Sequence, residues 1–206
     1  MLETKKKKGL PSTYTQLEFI YNPSGAYIDC GIKPTYTFEY ELKASLMSGV
    51  LVFGTQFTND STDYRLFQTQ SKFFFDVGTQ RLSGLSNSNF TYPYHVKVGN
   101  YYIELADTGE RISATTFDEK MNNAALSSNL WLLFNNSSVK GNIYLFKVWD
   151  NGKLIRDYIP VRSKADNTVG LYDLVENKFY TSPNGIAFKG SDEVSATAFL
   201  EEESIE

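Results

Sequence analysis

The chain has 206 residues, a formal net charge of −4 and a pI of about 5.2, so it lacks the basic surplus that a nucleic-acid-binding surface requires. No apolar run reaches the roughly 18 residues of a membrane-spanning helix, and the N-terminal segment lacks the apolar core of a signal peptide. Aromatic residues make up 15% of the sequence, which favours β-sheet because these side chains fit a pleated, half-buried surface.

Composition divides the chain into three parts. Residues 1–9 contain the basic run Lys5 to Lys8 and are predicted to form a disordered arm. Residues 10–190 consist of short apolar or alternating runs separated by turn-forming residues, which predicts one domain built from short strands. Residues 191–206 include the acidic run Glu201 to Glu203 and are predicted to be an acidic tail or a linker.

In the first half of the domain, the segment 36–42 gives the strongest strand signal. Tyr, Phe and Leu alternate there with Thr and Glu, a period of two that buries one face and leaves the other wet. The run 49–54 is apolar throughout and predicts a strand covered on both sides. Two hairpins are also predicted, with strands at 64–69, 72–77, 94–98 and 101–106. The segment Asp107 to Glu110 has the composition of a turn.

In the second half, strands are predicted at 130–134, 142–149 and 153–160, and a last hairpin at 171–175 and 178–181. The sequence Asp150-Asn151-Gly152 predicts a tight hairpin turn, because Asn and Gly tolerate positive φ. Since proline cannot donate to a strand ladder, Pro160 predicts a strand end or a sheet edge. Residues 118–126 have the only helical propensity and predict a turn of helix or a loop.

Two segments carry a family resemblance. The first reads LPSTYTQLEFI from Leu10 and GAYIDCGI from Gly25; the second reads YLFKVWDNGKLIRDYIP from Tyr144 and GLYDLVENKFY from Gly170. Together with FDVGTQR from Phe75, they resemble the laminin-G-like, concanavalin A-like jelly-roll modules of gut-bacterial surface proteins and bacteriophage structural proteins. The resemblance covers about residues 10–190. It implies an all-β, two-sheet antiparallel jelly-roll sandwich whose first and last strands pair, with residues 27–29 and 143–149 in the closed core region.

Related folds that hydrolyse glycosides place two carboxylates on one face, about 5–5.5 Å apart for retaining chemistry. The nearest approach here is the trio Glu104, Asp107 and Glu110. Residues three apart on a strand face opposite sides, and the last two lie in a turn signal, so the trio does not predict catalysis. His95 is the only histidine; it shares a strand face with Lys97 and is interpreted as a solvated residue.

The sequence requires no cofactor. Cys30 alternates with apolar neighbours and is interpreted as a small core residue, and one cysteine with one histidine makes a zinc site unexpected. Calcium stays open, because Asp and Asn on loops supply the oxygen ligands that it prefers. Turns are also rich in these residues for backbone reasons alone. The candidate calcium ligands are Asp29, Asn59, Asp60, Asp63, Asp150, Asn151, Asp166 and Asn167.

A sugar-binding surface needs aromatic faces for the C–H patches of the sugar and planar polar groups for its hydroxyls. Arg65 and Arg81 flank the predicted hairpin at 72–77, and Trp131 lies between two leucines and is expected to point away from the main core. Trp149 lies inside the second resembling segment and is interpreted as structural. The candidate ligand-binding residues are Tyr64, Arg65, Asp76, Arg81 and Trp131.

The resemblance implies a recognition or adhesion module without catalysis. The first hypothesis is a bacteriophage virion component, at a tail fibre or capsid surface, that binds a host-surface glycan or a protein partner. The second is a glycan-binding or adhesion domain of a bacterial cell-surface protein. The third is a purely structural virion domain that packs against copies of itself as a homo-oligomer, and an enzyme is the least favoured. The expected locations are the virion surface or, alternatively, the bacterial cell surface.

Overall fold

The computed structural model describes residues 9–23, 25–35, 37–46, 50–55, 64–68, 72–77, 80–86, 93–99, 102–114, 130–132 and 140–194. Every regular element in these ranges is a β-strand, so the all-β prediction is confirmed. The predicted turn of helix at 118–126 lies outside the described residues, as do the basic arm up to residue 8 and residues 195–206 of the acidic tail. Within the described ranges, no helix is long and apolar enough to cross a membrane.

Two antiparallel sheets contain the strands of the described ranges. The larger follows the order β11-β10-β9-β4-β13-β14-β15-β16, with β1 paired to β14 and β2 paired to both β13 and β17; the smaller has the order β3-β12-β5-β6-β7-β8. In chain order the strands are β1 (Tyr14–Gln16), β2 (Ile20–Asn22), β3 (Ile28–Asp29), β4 (Phe38–Leu46), β5 (Val50–Gly54), β6 (Tyr64–Gln68), β7 (Lys72–Val77), β8 (Gln80–Ser86), β9 (Tyr94–Gly99), β10 (Tyr102–Leu105), β11 (Arg111–Ser113), β12 (Trp131–Leu132), β13 (Gly141–Asp150), β14 (Lys153–Ser163), β15 (Val169–Asp173), β16 (Lys178–Tyr180) and β17 (Lys189–Gly190).

The core lies between the two sheets, which pack face to face as a β-sandwich. The rings of Tyr40 from the larger sheet and Phe53 from the smaller have centroids 4.7 Å apart, and Tyr40 also stacks on Phe146. The alternation along β4 buries Phe38, Tyr40 and Leu42, as predicted. Cys30 is fully buried in the same core, which confirms its interpretation as a core residue.

The predicted hairpins are confirmed by strand pairing. β6 pairs with β7, β9 with β10, and β15 with β16. At the turn between β13 and β14, Asn151 and Gly152 have φ values of 48° and 74°. These are the left-handed conformations that a tight hairpin turn requires and that Asn and Gly tolerate best.

The prediction that Pro160 marks a strand end or a sheet edge is wrong. β14 runs through Pro160 to Ser163 in the interior of the larger sheet. Its pairing with β13 reaches Tyr158 and its pairing with β1 begins at Val161, so Pro160 stands where the strand changes partner. The carbonyl of Pro160 accepts a hydrogen bond from the Leu17 amide at 2.9 Å. The amide hydrogen that Pro160 lacks therefore falls in the gap between the pairing of β14 with β13 and its pairing with β1.

The two ends of the described chain meet, although the first strand, β1, pairs with β14 and not with the last strand. β17 pairs with β2, Leu17 forms an isolated bridge with Glu193, and the amide of Val194 donates to the carbonyl of Gln16 at 3.0 Å. Strand-like pairing therefore continues a few residues beyond position 190.

Candidate functional site

The candidate residues of the smaller sheet lie along one line of register. Arg65 on β6 faces Asp76 on β7, which faces Arg81 on β8. On the other side of Arg65, Gly54 on β5 separates it from Trp131 on β12. The structure thus brings four of the five candidates onto one row of backbone positions, although the side chain of Trp131 lies outside what it describes.

Three members of this row form an ion network around one carboxylate. Asp76 is 4% exposed and accepts hydrogen bonds from Arg65 Nε at 2.9 Å and from Arg81 Nε at 2.7 Å. Arg81 adds a second bond from Nη2 at 2.9 Å, and its hydrogen bonding with Asp76 raises the pKa of Arg81. The carboxylate of Asp76 is shielded from solvent, whereas the side chain of Arg81 is the most exposed of the three.

Tyr64 does not share this surface. Its side chain is buried, with its ring centroid 5.1 Å from that of Phe75 and 5.6 Å from that of Tyr40. Successive residues of a strand point to opposite faces, so Tyr64 points into the core while Arg65 points outward. We therefore remove Tyr64 from the candidate ligand contacts.

The outer face of the larger sheet has a covered half and a wetter half. Ile159, Val161 and Tyr172 form an apolar cluster on the outer face of β14 and β15. Leu10 and Tyr14 pack against it, and the ring centroids of Tyr14 and Tyr172 are 5.0 Å apart. The N-terminal segment therefore covers this half, whereas the outer side chains of β4, β9, β10 and β13 keep contact with solvent.

A charge row crosses the wetter half. Glu104, Lys97, Glu41, Lys147 and Asp157 face one another on five neighbouring strands. Their signs alternate, and each cross-strand pair of opposite charges stabilises a sheet by roughly 0.2–1 kcal/mol. Lys147 Nζ lies 3.8 Å from a carboxylate oxygen of Glu41. The row presents hydrogen-bond donors and acceptors in alternation.

A second row, beside the charge row, contains two aromatic residues. Tyr102 faces Gly99 and Glu39 faces Trp149. Burial, followed by the negative charge of the nearby Glu39 carboxylate, raises the pKa of Tyr102. The guanidinium carbon of Arg111 lies 3.7 Å from the centroid of the Tyr102 ring. Tyr102 is thus held in place and builds a wall, while Trp149 is partly exposed beside Glu39.

Members of the two rows line a cleft of about 420 Å³ on this outer face. Because Phe146 and Val148 point into the core, the residue that follows them points outward. Trp149 therefore lies in the wall of a cleft on the outer face and not in the core between the sheets. Among the described residues, the cleft is lined by Glu39, Tyr40, Glu41, Lys97, Tyr102, Glu104, Trp149 and Gly152.

His95 lies on the outer face with Lys97, as predicted, but it is not a free solvated residue. Its Nε2 lies 2.7 Å from Glu41 Oε1, and its Nδ1 lies 3.5 Å from Asp107 Oδ1. The side chain of His95 is 21% exposed. The hydrogen bond with His95 lowers the pKa of Glu41, so His95 helps to hold a negative charge at the edge of the cleft.

The carboxylate trio considered for hydrolysis does not converge. Glu104 lies 3.6 Å from Arg111 Nη1, whereas Asp107 approaches His95 and Glu110 is exposed after the turn. The turn itself is confirmed, since the Gly109 amide donates to the Leu105 carbonyl at 2.8 Å.

The candidate calcium ligands that the structure describes are engaged in turns. Asp29 accepts from the Gly31 amide at 2.8 Å and Asp166 from the Thr168 amide at 3.0 Å, while Asp150 accepts from the Thr37 hydroxyl. In the part of the chain that the structure describes, no three His, Cys, Asp or Glu side chains are grouped to hold a metal ion. The candidates Asn59, Asp60 and Asp63 lie outside that part.

None of the described residues that line the cleft was among the five ligand-binding candidates predicted from the sequence, and the proposed site depends most on Glu39, Tyr102 and Trp149. Alternation along β4 already places Glu39 on the wet face, and the same rule places Trp149 opposite Val148. The missing information was strand order, since β9 and β4 stand between β10 and β13 in the sheet.

Comparison with known proteins adds no family to these observations. No protein-family model matches the sequence, and no curated protein matches it.

Proposed function

We propose that this chain is a non-enzymatic carbohydrate-recognition module and that a glycan binds in the cleft beside Trp149. The observation that carries the proposal is the cleft of about 420 Å³ itself, which combines a partly exposed indole with side chains that accept and donate hydrogen bonds. Its volume falls in the range of about 300–1,000 Å³ that is common for small-molecule sites.

The chemistry of the lining suits a pyranose. The indole of Trp149 offers an apolar face to the C–H patch of a sugar ring and a polar edge to its hydroxyls. Glu39 and Glu41 accept hydrogen bonds from hydroxyls, and Lys97 donates them. Hydrogen bonds that involve a charged group are roughly twice as strong as neutral ones.

The lining is also preorganised, because its side chains stand on paired strands and not on loops. The ring of Tyr102 packs against the guanidinium group of Arg111. Lys147 Nζ lies 5.9 Å from the centroid of the Trp149 ring. Ordering these groups in advance reduces the entropy that a ligand loses on binding.

The wider setting follows from the family resemblance. The segments at 10–32 and 143–180 support a concanavalin A-like jelly roll, and the pairing of β17 with β2 agrees with that topology. We place the module on a bacteriophage virion surface, with a bacterial cell surface as the alternative setting. The competing candidate is a purely structural domain that binds no glycan.

A glycan array with two matched variants tests the proposal. Wild-type protein should show saturable binding, Trp149→Ala should weaken it at least about tenfold, and Arg81→Ala on the smaller sheet should leave it unchanged. Loss of binding in Arg81→Ala alone would move the site to the smaller sheet. An array without signal would favour the structural candidate, and release of new reducing ends from a bound oligosaccharide would contradict the non-enzymatic part.

A further inference from the structure

The cleft carries an uneven set of charges. Its lining contains three carboxylates, from Glu39, Glu41 and Glu104, against one ammonium group from Lys97. A bound sugar therefore meets more acceptors than donors. Acceptors of this kind favour hydroxyl and ammonium groups and disfavour a carboxylate on the ligand.

The three carboxylates differ in the basic side chains that lie near them. Glu41 lies 2.7 Å from His95 and 3.8 Å from Lys147, and Glu104 lies 3.6 Å from Arg111. Glu39 has no cation of the described residues within ion-pair distance, and the rings of Tyr102 and Trp149 that line the cleft with it are uncharged. The uncompensated negative charge of the cleft is therefore centred on Glu39.

Glu39 also lies directly across from the proposed stacking surface in the strand register. It faces Trp149 across the β4–β13 pairing, and adjacent strands lie about 4.8 Å apart. A substituent of a sugar ring that rests on the indole therefore points toward this carboxylate. On the other side of Trp149, the residue in register is Leu154 on β14, which has no charge.

Building on the proposed function, we propose that Glu39 makes the cleft selective for glycans of amino sugars with free ammonium groups, over neutral glycans and most strongly over acidic ones. The ammonium group replaces the cation that Glu39 lacks. A uronate in the same position places two carboxylates side by side. Because the site is open to solvent, the expected preference is about fivefold for each step of ligand charge.

Titration calorimetry with three oligosaccharides of equal length tests the charge rule on the full chain. The probes are a β-1,4-glucosamine oligomer, a cello-oligosaccharide and an oligogalacturonate. Wild-type affinity should fall in that order. Glu39→Gln should bring the three affinities to within about twofold of one another, whereas the matched control Glu18→Gln, an exposed residue outside the cleft lining, should keep the order.

Salt provides a second measurement that needs no variant. High salt screens exposed charges, so the wild-type preference should shrink toward equality. The charge rule is overturned if the oligogalacturonate binds best, if Glu39→Gln keeps the wild-type order, or if salt leaves the preference unchanged. In each of these cases Trp149-dependent binding still stands, so the proposed function survives. If wild type binds none of the probes and no glycan on the array, both proposals fail together.

Discussion

The ring of Tyr102 occupies the space beside Gly99, because a β-carbon at position 99 would lie only 2.5 Å from Tyr102 Cε1. The missing β-carbon at Gly99 lets the Tyr102 ring lie over β9, toward Glu39 on the next strand but one. Gly99 thus positions the Tyr102 ring in the wall of the cleft.

The first prediction concerns Gly99→Ala. The added methyl group meets a side-chain ring, not the backbone, so the sheet should stay intact while the Tyr102 ring turns away from Glu39. Displacing this preordered ring from the cleft wall should weaken glycan binding about three- to tenfold. Titration calorimetry with a glycan identified on the array measures the change, and circular dichroism checks the fold.

A double-mutant cycle separates this mechanism from a general disturbance of β9. In a Tyr102→Ala background there is no ring to displace, so Gly99→Ala should cost no further affinity. Equal losses from Gly99→Ala in both backgrounds would show that Gly99 does not act through Tyr102.

The second prediction is that Gly170→Ala damages stability instead of binding. A β-carbon at position 170 would collide with the backbone carbonyl oxygen of Tyr180 and lie 2.9 Å from the ring of Phe179. Because a paired backbone cannot turn aside as a side chain does, we expect a loss of about 1–3 kcal/mol in the free energy of unfolding. Urea denaturation measures it with Gly99→Ala as the matched control, and equal losses in the two variants contradict the reasoning.

The third prediction concerns the hydrogen bond between His95 and Glu41. Hydrogen bonding with His95 lowers the pKa of Glu41 below its ordinary value of 4.5. A lowered folded-state pKa contributes stability that is present above the unfolded value and is lost as the pH falls through the folded value. His95→Ala should therefore be less stable than wild type at neutral pH, and the gap should narrow below pH 4.5.

Urea denaturation across this acid range measures the gap. A matched Glu41→Gln variant should show the same narrowing, since it removes the other partner. A difference between wild type and His95→Ala that stays constant with pH would mean that the pair does not account for it.

The fourth prediction is that Cys30 is inert in the folded protein. Burial raises the pKa of its thiol to about 12, and the thiolate is the reactive form. Iodoacetamide at about pH 8 should therefore label the unfolded chain and spare the native one. Because the folded pKa is raised, the stabilisation from the neutral thiol is present below pH 9 and is lost as the pH rises toward 12.

Mass spectrometry of the alkylated protein gives the readout for Cys30, and Cys30→Ala is the unlabelled reference. Rapid labelling of native protein under conditions where circular dichroism shows an intact fold contradicts the buried position.

Sequence patterns predicted the turns and the burial of alternate residues within single strands. The pairing of strands that are distant in sequence could be seen only in the structure. The turn at Asn151 and Gly152 and the burial of alternate residues along β4 depend on neighbours in sequence. The prediction for Pro160 failed because its missing amide hydrogen falls where β14 changes its pairing partner from β13 to β1.

The candidate site was harder to predict for the same reason. His95 meets Glu41 across 54 positions of sequence, and Tyr102 and Trp149 reach one cleft only through the order of β10, β9, β4 and β13. No residue pattern within one strand carries that order.

The most direct test of the glycan cleft is the tryptophan emission of a Trp131→Phe variant, because the chain has two tryptophans and this change leaves Trp149 alone to report. Adding a glycan that binds on the array should produce a saturable change in emission, with the dissociation constant that calorimetry gives for the same variant. Calorimetric binding of that glycan without any change in Trp149 emission would contradict the account.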